Sequence, residues 1–383
     1  MKTLPWLAVL LFSTGASAQV TDAASERAAA AQFGEAIATA FTERDAKAAA
    51  SMIDIRELAL RAARVQGLSP DQQENFARGA ESVGAGRVVA GFMQSLETGQ
   101  GTVKFMRVTN TRPARALIRF DLGDHGFDYA EYVLETKAGR TRAVDWFQLS
   151  TGQLMSVTIG GIAQLFNTSD PGLLARVLGL DNVDRSSMER LRRIGDLQRS
   201  GKYAEALALF KELPDPISSS RIMLSIQSSY ASLAGLDKEH ARILAKLAEK
   251  YSDDPAASFL LLDHYFLTKD FSRMFVGLDA MEKRIGADSV TNLLRAAGYL
   301  SNGDLANSLK YAEVAIQLEP DRMAGYDTRA TLLVQLARHA DAVAAYRDMA
   351  TRFDLHFTRE IFSADPVFAQ FVASKEFRAW LPR

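Results

Sequence analysis

Residues 323–356 read MAGYDTRATLLVQLARHADAVAAYRDMATRFDLH, and the fold is decided there. Tyr326, Ala330 and Leu333 follow helical spacing, as do Ala342 and Tyr346 further on, and a short break around Ala337 separates the two sets. The pattern predicts two amphipathic helices joined by a tight turn. Such a hairpin cannot bury both apolar faces by itself, so it predicts neighbours of its own kind.

Those neighbours appear when residues 187–356 are written in rows of 34, because five rows then stand in register without an insertion. The turn column reads Gly201, Gly235, Lys269, Gly303 and Ala337, and two residues later stand Tyr203, Asp237, Phe271, Leu305 and His339. Apolar columns flank it: Leu197, Ala231, Tyr265, Tyr299 and Leu333 upstream, then Phe210, Leu244, Leu278, Ala312 and Tyr346 downstream. A further column, Ala206, His240, Met274, Ser308 and Ala342, is small where two helices approach closely, with His240 and Met274 departing from it. Row 221–254 is degenerate and keeps its place mainly by phase. The competing reading is an irregular helical array with a chance period.

This spacing resembles the tetratricopeptide repeat (TPR), a 34-residue helix–turn–helix unit. The resemblance implies an all-α TPR solenoid over 187–356, closed by a terminal cap. The tail at 357–383 is the expected cap: Phe357, Ile361, Phe362, Phe368, Phe371, Phe377 and Trp380 are spaced as short helices, broken at Asp365-Pro366. The alternative is an exposed aromatic docking peptide.

In that family the first helix of each unit lines a concave groove, so the resemblance implies which columns face a partner. The fifth column reads Leu191, Ser225, Phe259, Leu293 and Asp327, and the ninth Gly195, Ser229, Asp263, Ala297 and Thr331. The twelfth reads Gln198, Ser232, Phe266, Leu300 and Val334, and the thirteenth Arg199, Leu233, Leu267, Ser301 and Gln335. The lysines and asparagine with which family members grip a chaperone tail's carboxylate are absent, which argues against such a clamp. Phe259, Phe266, Leu293 and Leu300, with Asp263 among them, form instead a partly apolar strip, a candidate anchor for an extended peptide or a helix. Against this stands a strip filled by the N-terminal domain, the tail or neighbouring repeats.

Residues 19–165 have a different texture, and 166–186 read as a linker with a short helix. Phe33, Ile37 and Phe41 follow helical spacing, and Ser69-Pro70 opens a second long helix running toward Met93. After the glycines at 99–101 the period changes to two: Ala116, Ile118, Phe120 and Leu122 alternate with Arg115, Arg119 and Asp121, which predicts a half-buried antiparallel strand. Gly123-Asp124-His125-Gly126 reads as a hairpin turn, and strands are expected at 127–136, 142–149 and 155–159. Helices ahead of a meander, together with Phe41–Asp54 (FTERDAKAAASMID), resemble the opening of the NTF2-like superfamily of ketosteroid isomerases and dehydratases. That resemblance implies an α+β cone with a pocket between sheet and helices, used for binding or for catalysis.

At 383 residues, with 48% hydrophobic and 24% charged side chains, the chain is long enough for two or three cores and too mixed for disorder or a multi-span membrane protein. Lys and Arg number 45 against 46 Asp and Glu, interspersed, which excludes the footprint of a nucleic-acid binder. The absence of cysteine excludes disulfides, thiolate metal sites and cysteine nucleophiles. Residues 1–18 read as a secretory leader: Lys2, the apolar run Leu4–Phe12, and Ala16-Ser17-Ala18 as cleavage site. The run is too short to cross a bilayer as a helix. A mature protein beginning at Gln19, periplasmic or secreted, is expected.

Catalytic groups are sparse. Asp145, between Val144 and Trp146, is a conceivable desolvated base, though an edge or solvent-facing aspartate is the plainer reading, and His125 beside Asp124 reads as an exposed turn residue. His125, His240, His264, His339 and His356 show no helix-borne metal spacing, and Gly84-Ala85-Gly86 reads as a break in a helix rather than a phosphate loop. The expectation is therefore an exported interaction scaffold, not an enzyme, with no cofactor or metal, binding another protein or peptide and open to self-association. The alternative is a small-molecule or isomerase-like N-terminal domain targeted by its repeats.

Overall fold

The computed structural model describes residues 13–98, 100–123, 126–167, 183–252 and 257–382, in two compact units, Met1–Ala257 and Ser258–Arg383. The leader's run Leu4–Phe12, Asp124, His125 and most of the expected linker at 166–186 lie outside the described residues. The division between the units falls within the third row of 34.

The first unit opens with five helices, α1 Ser13–Thr42, α2 Ala46–Ser51, α3 Ile55–Val65, α4 Pro70–Val83 and α5 Ala85–Thr98. Their starts are local chemistry. Asp45 and Asp54 accept from the Ala48 and Glu57 N–H groups, and Ser69 with Gln72 forms a capping box ahead of Pro70. The expected helix running to Met93 is two helices, because Gly84 at φ 76° ends α4.

A five-stranded antiparallel meander follows in chain order: β1 Thr102–Val108, β2 Arg115–Asp121, β3 Phe127–Lys137, β4 Arg140–Gln148 and β5 Gln153–Leu154. Ala138 and Gly139, both at positive φ, close the two-residue hairpin in which Lys137 pairs with Arg140. One sheet face, carrying Ala116, Ile118, Phe120, Ala130, Tyr132 and Trp146, packs on Phe33, Ile37 and Phe41 of α1. The rings interlock: Phe33 lies 5.5 Å from Tyr132, Phe41 5.3 Å from Phe120 and Tyr132 5.6 Å from Trp146.

Three expectations are corrected here. Residues 155–159 are not a strand but the first turns of helix α6, Met155–Asn167. β2 is not half-buried, since Leu117 and Arg119 on its other face are as buried as Ile118. Asp145 is not solvent-facing; it is 1% exposed, and its carboxylate accepts from the Ser156 hydroxyl at 2.6 Å and the Ser156 N–H at 3.0 Å. These findings are linked, because a buried carboxylate placed at the start of 155–167 satisfies an orphan N–H there and favours a helix over the strand that Val157, Thr158 and Ile159 favour by themselves.

The first unit continues with α7 Arg185–Arg199 and α8 Tyr203–Phe210, a short α9 Asp215–Ser218, then α10 Arg221–Leu233 and α11 Asp237–Tyr251. The second unit holds three hairpins: α12 Leu261–Leu267 with α13 Phe271–Ile285, α14 Ser289–Ser301 with α15 Leu305–Leu318, and α16 Met323–Gln335 with α17 His339–Phe353. Second helices begin at Tyr203, Asp237, Phe271, Leu305 and His339, one per row. The turn column is left-handed throughout, with φ of 70°, 65°, 59°, 79° and 53° at Gly201, Gly235, Lys269, Gly303 and Ala337. The downstream column is fully buried in all five hairpins, each of its large side chains worth about 1.5–3 kcal/mol of burial. These are TPR-like helical hairpins.

The tail forms α18 Arg359–Ser363, a 3-10 turn Pro366–Phe368, α19 Ala369–Ala373 and α20 Lys375–Trp380. Phe362, Phe371 and Phe377 are buried against α16 and α17, and Tyr346 packs 4.9 Å from Phe362 and 5.9 Å from Trp380. Most of its aromatics are thus consumed in a core, contrary to a freely exposed docking peptide; Ile361 and Val367 remain exposed.

Candidate functional site

The strip residues all belong to the second unit, on or just before the first helices of its hairpins. Local chemistry sets these helices. Asp288 accepts from the Val290 N–H at 2.7 Å to start α14, and Gly298 admits the Phe275 ring of α13, which a Cβ there would meet at 2.9 Å. α12 begins only at Leu261, so Phe259 stands in the turn before it, half-buried.

The residues differ in accessibility. Phe266 is 36% exposed, its ring edge-on to Phe271 at 6.4 Å, and the neighbouring Leu267 is 65% exposed. Asp263 is exposed; Leu293 is half-buried; Leu300 is half-buried and packs on the core shared by α16, α17 and the tail. Val334, which occupies the twelfth column in the fifth row, is 5% exposed and closed to any ligand. The strip is therefore open at Phe266 and Leu293 and shut at Val334.

One polar group at this surface was not singled out from the sequence. Asp327 of α16 is exposed, and it lies one helical turn from Thr331, which meets the Tyr346 hydroxyl. Surrounding protein displaces enough water to hold the Asp327 carboxyl above its ordinary range. Burial, with a smaller contribution from the Asp327 charge, pushes the Tyr346 phenol up to about 12. The sequence signal was an acid in a column otherwise made of Leu, Ser and Phe.

In the first unit Asp145 acts as an acceptor for Ser156 and for the Trp146 N–H at 2.9 Å. A cavity of about 390 Å³ lies between α1 and the β3–β4 hairpin, lined by Glu26, Ala30, Pro113, Leu134, Thr136 and Thr141 among others. Asp145 is not on that lining. Among the described residues, no group of three or more His, Asp or Glu is arranged to hold a metal ion, and no helix is long and apolar enough to cross a membrane.

No family model matches the chain, and no curated protein matches it. Among solved structures it is similar to MamA (41-end) from Desulfovibrio magneticus RS-1, at 15% identity over 45% of this chain and 97% of that one, with a TM-score of 0.37. It is also similar to the TPR2AB-domain:pHSP90 complex of yeast Sti1, at 14% identity over 54% of this chain and 90% of that one, with a TM-score of 0.25. Likeness this low is no argument for a shared function, and the hairpins stand on their own geometry.

Proposed function

We propose that the protein is an exported interaction scaffold whose second unit docks a peptide or helix of another protein along the first helices of its hairpins. The observation that carries this reading is Phe266. A large aromatic side chain, 36% exposed beside Leu267 at 65%, on a helix face that the TPR resemblance assigns to partners, has apolar surface left for a ligand to cover. The leader-like residues 1–18 support export. The test is capture of extracytoplasmic proteins by the tagged protein beside a Phe266→Ser, Leu293→Ser variant of unchanged circular dichroism. A partner lost only in the variant supports the groove; partners that survive the change rule it out. Mass measurement of the exported chain checks cleavage after Ala18.

The second reading, an NTF2-like cone serving a small ligand, draws on the element order α then meander and on the 390 Å³ cavity beside Thr136 and Thr141. The filled aromatic face of the sheet weighs against a deep interior pocket. A thermal-shift screen of small polar ligands, repeated on Thr136→Val, tests it.

A further inference from the structure

This inference rests on the groove proposed above and concerns what fills it. On the partner-facing columns of the second unit there are two carboxylates, Asp263 and Asp327, and no lysine or arginine. Asp327 is the informative one. Among the described residues it has neither a hydrogen-bond partner nor a cation: in its own hairpin Arg329 and Arg352 both reach Asp348, at 3.1 and 4.0 Å, and both lie over the Tyr326 ring, while Arg338 pairs with Asp341 at 2.7 Å. The carboxylate is exposed to solvent, and an acid with no cation of its own is open to one brought by a ligand.

Leu293 occupies the same place on α14 that Asp327 occupies on α16, one 34-residue step away, and the two helices touch. Packed helices stand about 8–10 Å apart, and an extended chain advances about 3.3 Å per residue. A ligand that meets both side chains therefore spaces its two groups by roughly three residues. We infer that the occupant is an extended peptide segment carrying a lysine or arginine about three residues from a large apolar side chain, its cation on Asp327 and its apolar group against Leu293.

The probe is a phage-displayed library of random dodecapeptides panned on the full-length protein. Enriched peptides are then synthesised with a fluorophore and titrated against wild type, Asp327→Asn and Leu293→Ser. The expected result is enrichment of Lys or Arg three residues from Leu, Ile, Phe or Trp. Asp327→Asn is expected to weaken binding roughly tenfold or more, with no further loss when the peptide's cation is replaced by Gln. Enriched peptides that lack a cation and bind Asp327→Asn as well as wild type, yet fail on Leu293→Ser, overturn this inference and leave the groove standing. No enriched peptide, or binding indifferent to both substitutions, overturns the inference and the groove together.

Discussion

The backbone N–H of Asp304 donates to the carbonyl of Tyr299 at 2.9 Å, closing a turn centred on Gly303 at φ 79°. The same bond recurs one row away in each direction, from Asp270 to Tyr265 at 2.8 Å and from Arg338 to Leu333 at 2.9 Å, and again from Leu236 to Ala231 and Lys202 to Leu197. It is the Schellman closure of a helix C-terminus. Its recurrence explains why the period survives in rows whose side chains have diverged.

Two of the five turns reach the left-handed region without glycine, Lys269 and Ala337. A side chain there costs about 1–2 kcal/mol, partly offset by glycine's greater freedom in the unfolded chain. Lys269→Gly and Ala337→Gly are each expected to stabilise the protein by roughly 0.5–1 kcal/mol, and Gly303→Ala to destabilise it by about as much. Because a Cβ at Gly303 meets nothing within 4 Å, that loss is conformational. Urea midpoints of the three variants check this.

Asp145→Ala is expected to destabilise the first unit by about 3 kcal/mol, since it leaves the buried Ser156 hydroxyl and N–H without their acceptor. Ser156→Ala introduced into that variant should cost much less than in wild type. Equal costs in the two backgrounds would show that the pair does not interact.

Asp128 predicts a pH dependence. Burial pushes its carboxyl up, against donors that oppose the shift: the Ser150 hydroxyl, the Gln148 amide at 2.5 Å and the Tyr129 and Ser150 N–H groups. The native state then holds the proton more tightly than the unfolded chain, so this group's contribution is largest in acid and is lost as pH rises through its folded range. Asp128→Asn does not titrate. The stability advantage of wild type over this variant should shrink as pH rises above the ordinary aspartate range of about 4, in matched urea titrations.

Phe371 is fully buried, against Tyr346, Phe362 and Phe377. Phe371→Ala is expected to cost about 3–5 kcal/mol and to raise hydrogen exchange in α17 as well as in the tail. Exchange confined to the tail would mean that it does not cap the hairpins.

What the sequence could reveal depended on how local the physics was. The turn column was legible because a left-handed residue followed by a helix start is specified within about six residues, and the capping at Ser69-Pro70 for the same reason. β1 was not singled out, because of its residues only Val103 is fully buried and its alternation is weak. The strip at Phe259, Phe266, Leu293 and Leu300 was legible as a column but not as a surface, since nothing local says that Leu300 is turned to the tail's core or that Val334 is closed.

The sequence by itself determined the five 34-residue hairpins and the positions where they turn, because backbone conformation at a glycine-bearing turn and apolar spacing on a helix are properties of short segments. Tertiary structure decided the rest. Whether Asp145 meets water or Ser156, whether 155–159 becomes strand or helix, whether Arg119 is covered, and whether Asp327 is left unpaired all depend on which distant segment arrives alongside. Burial and hydrogen-bond satisfaction belong to the pair and not to either residue alone.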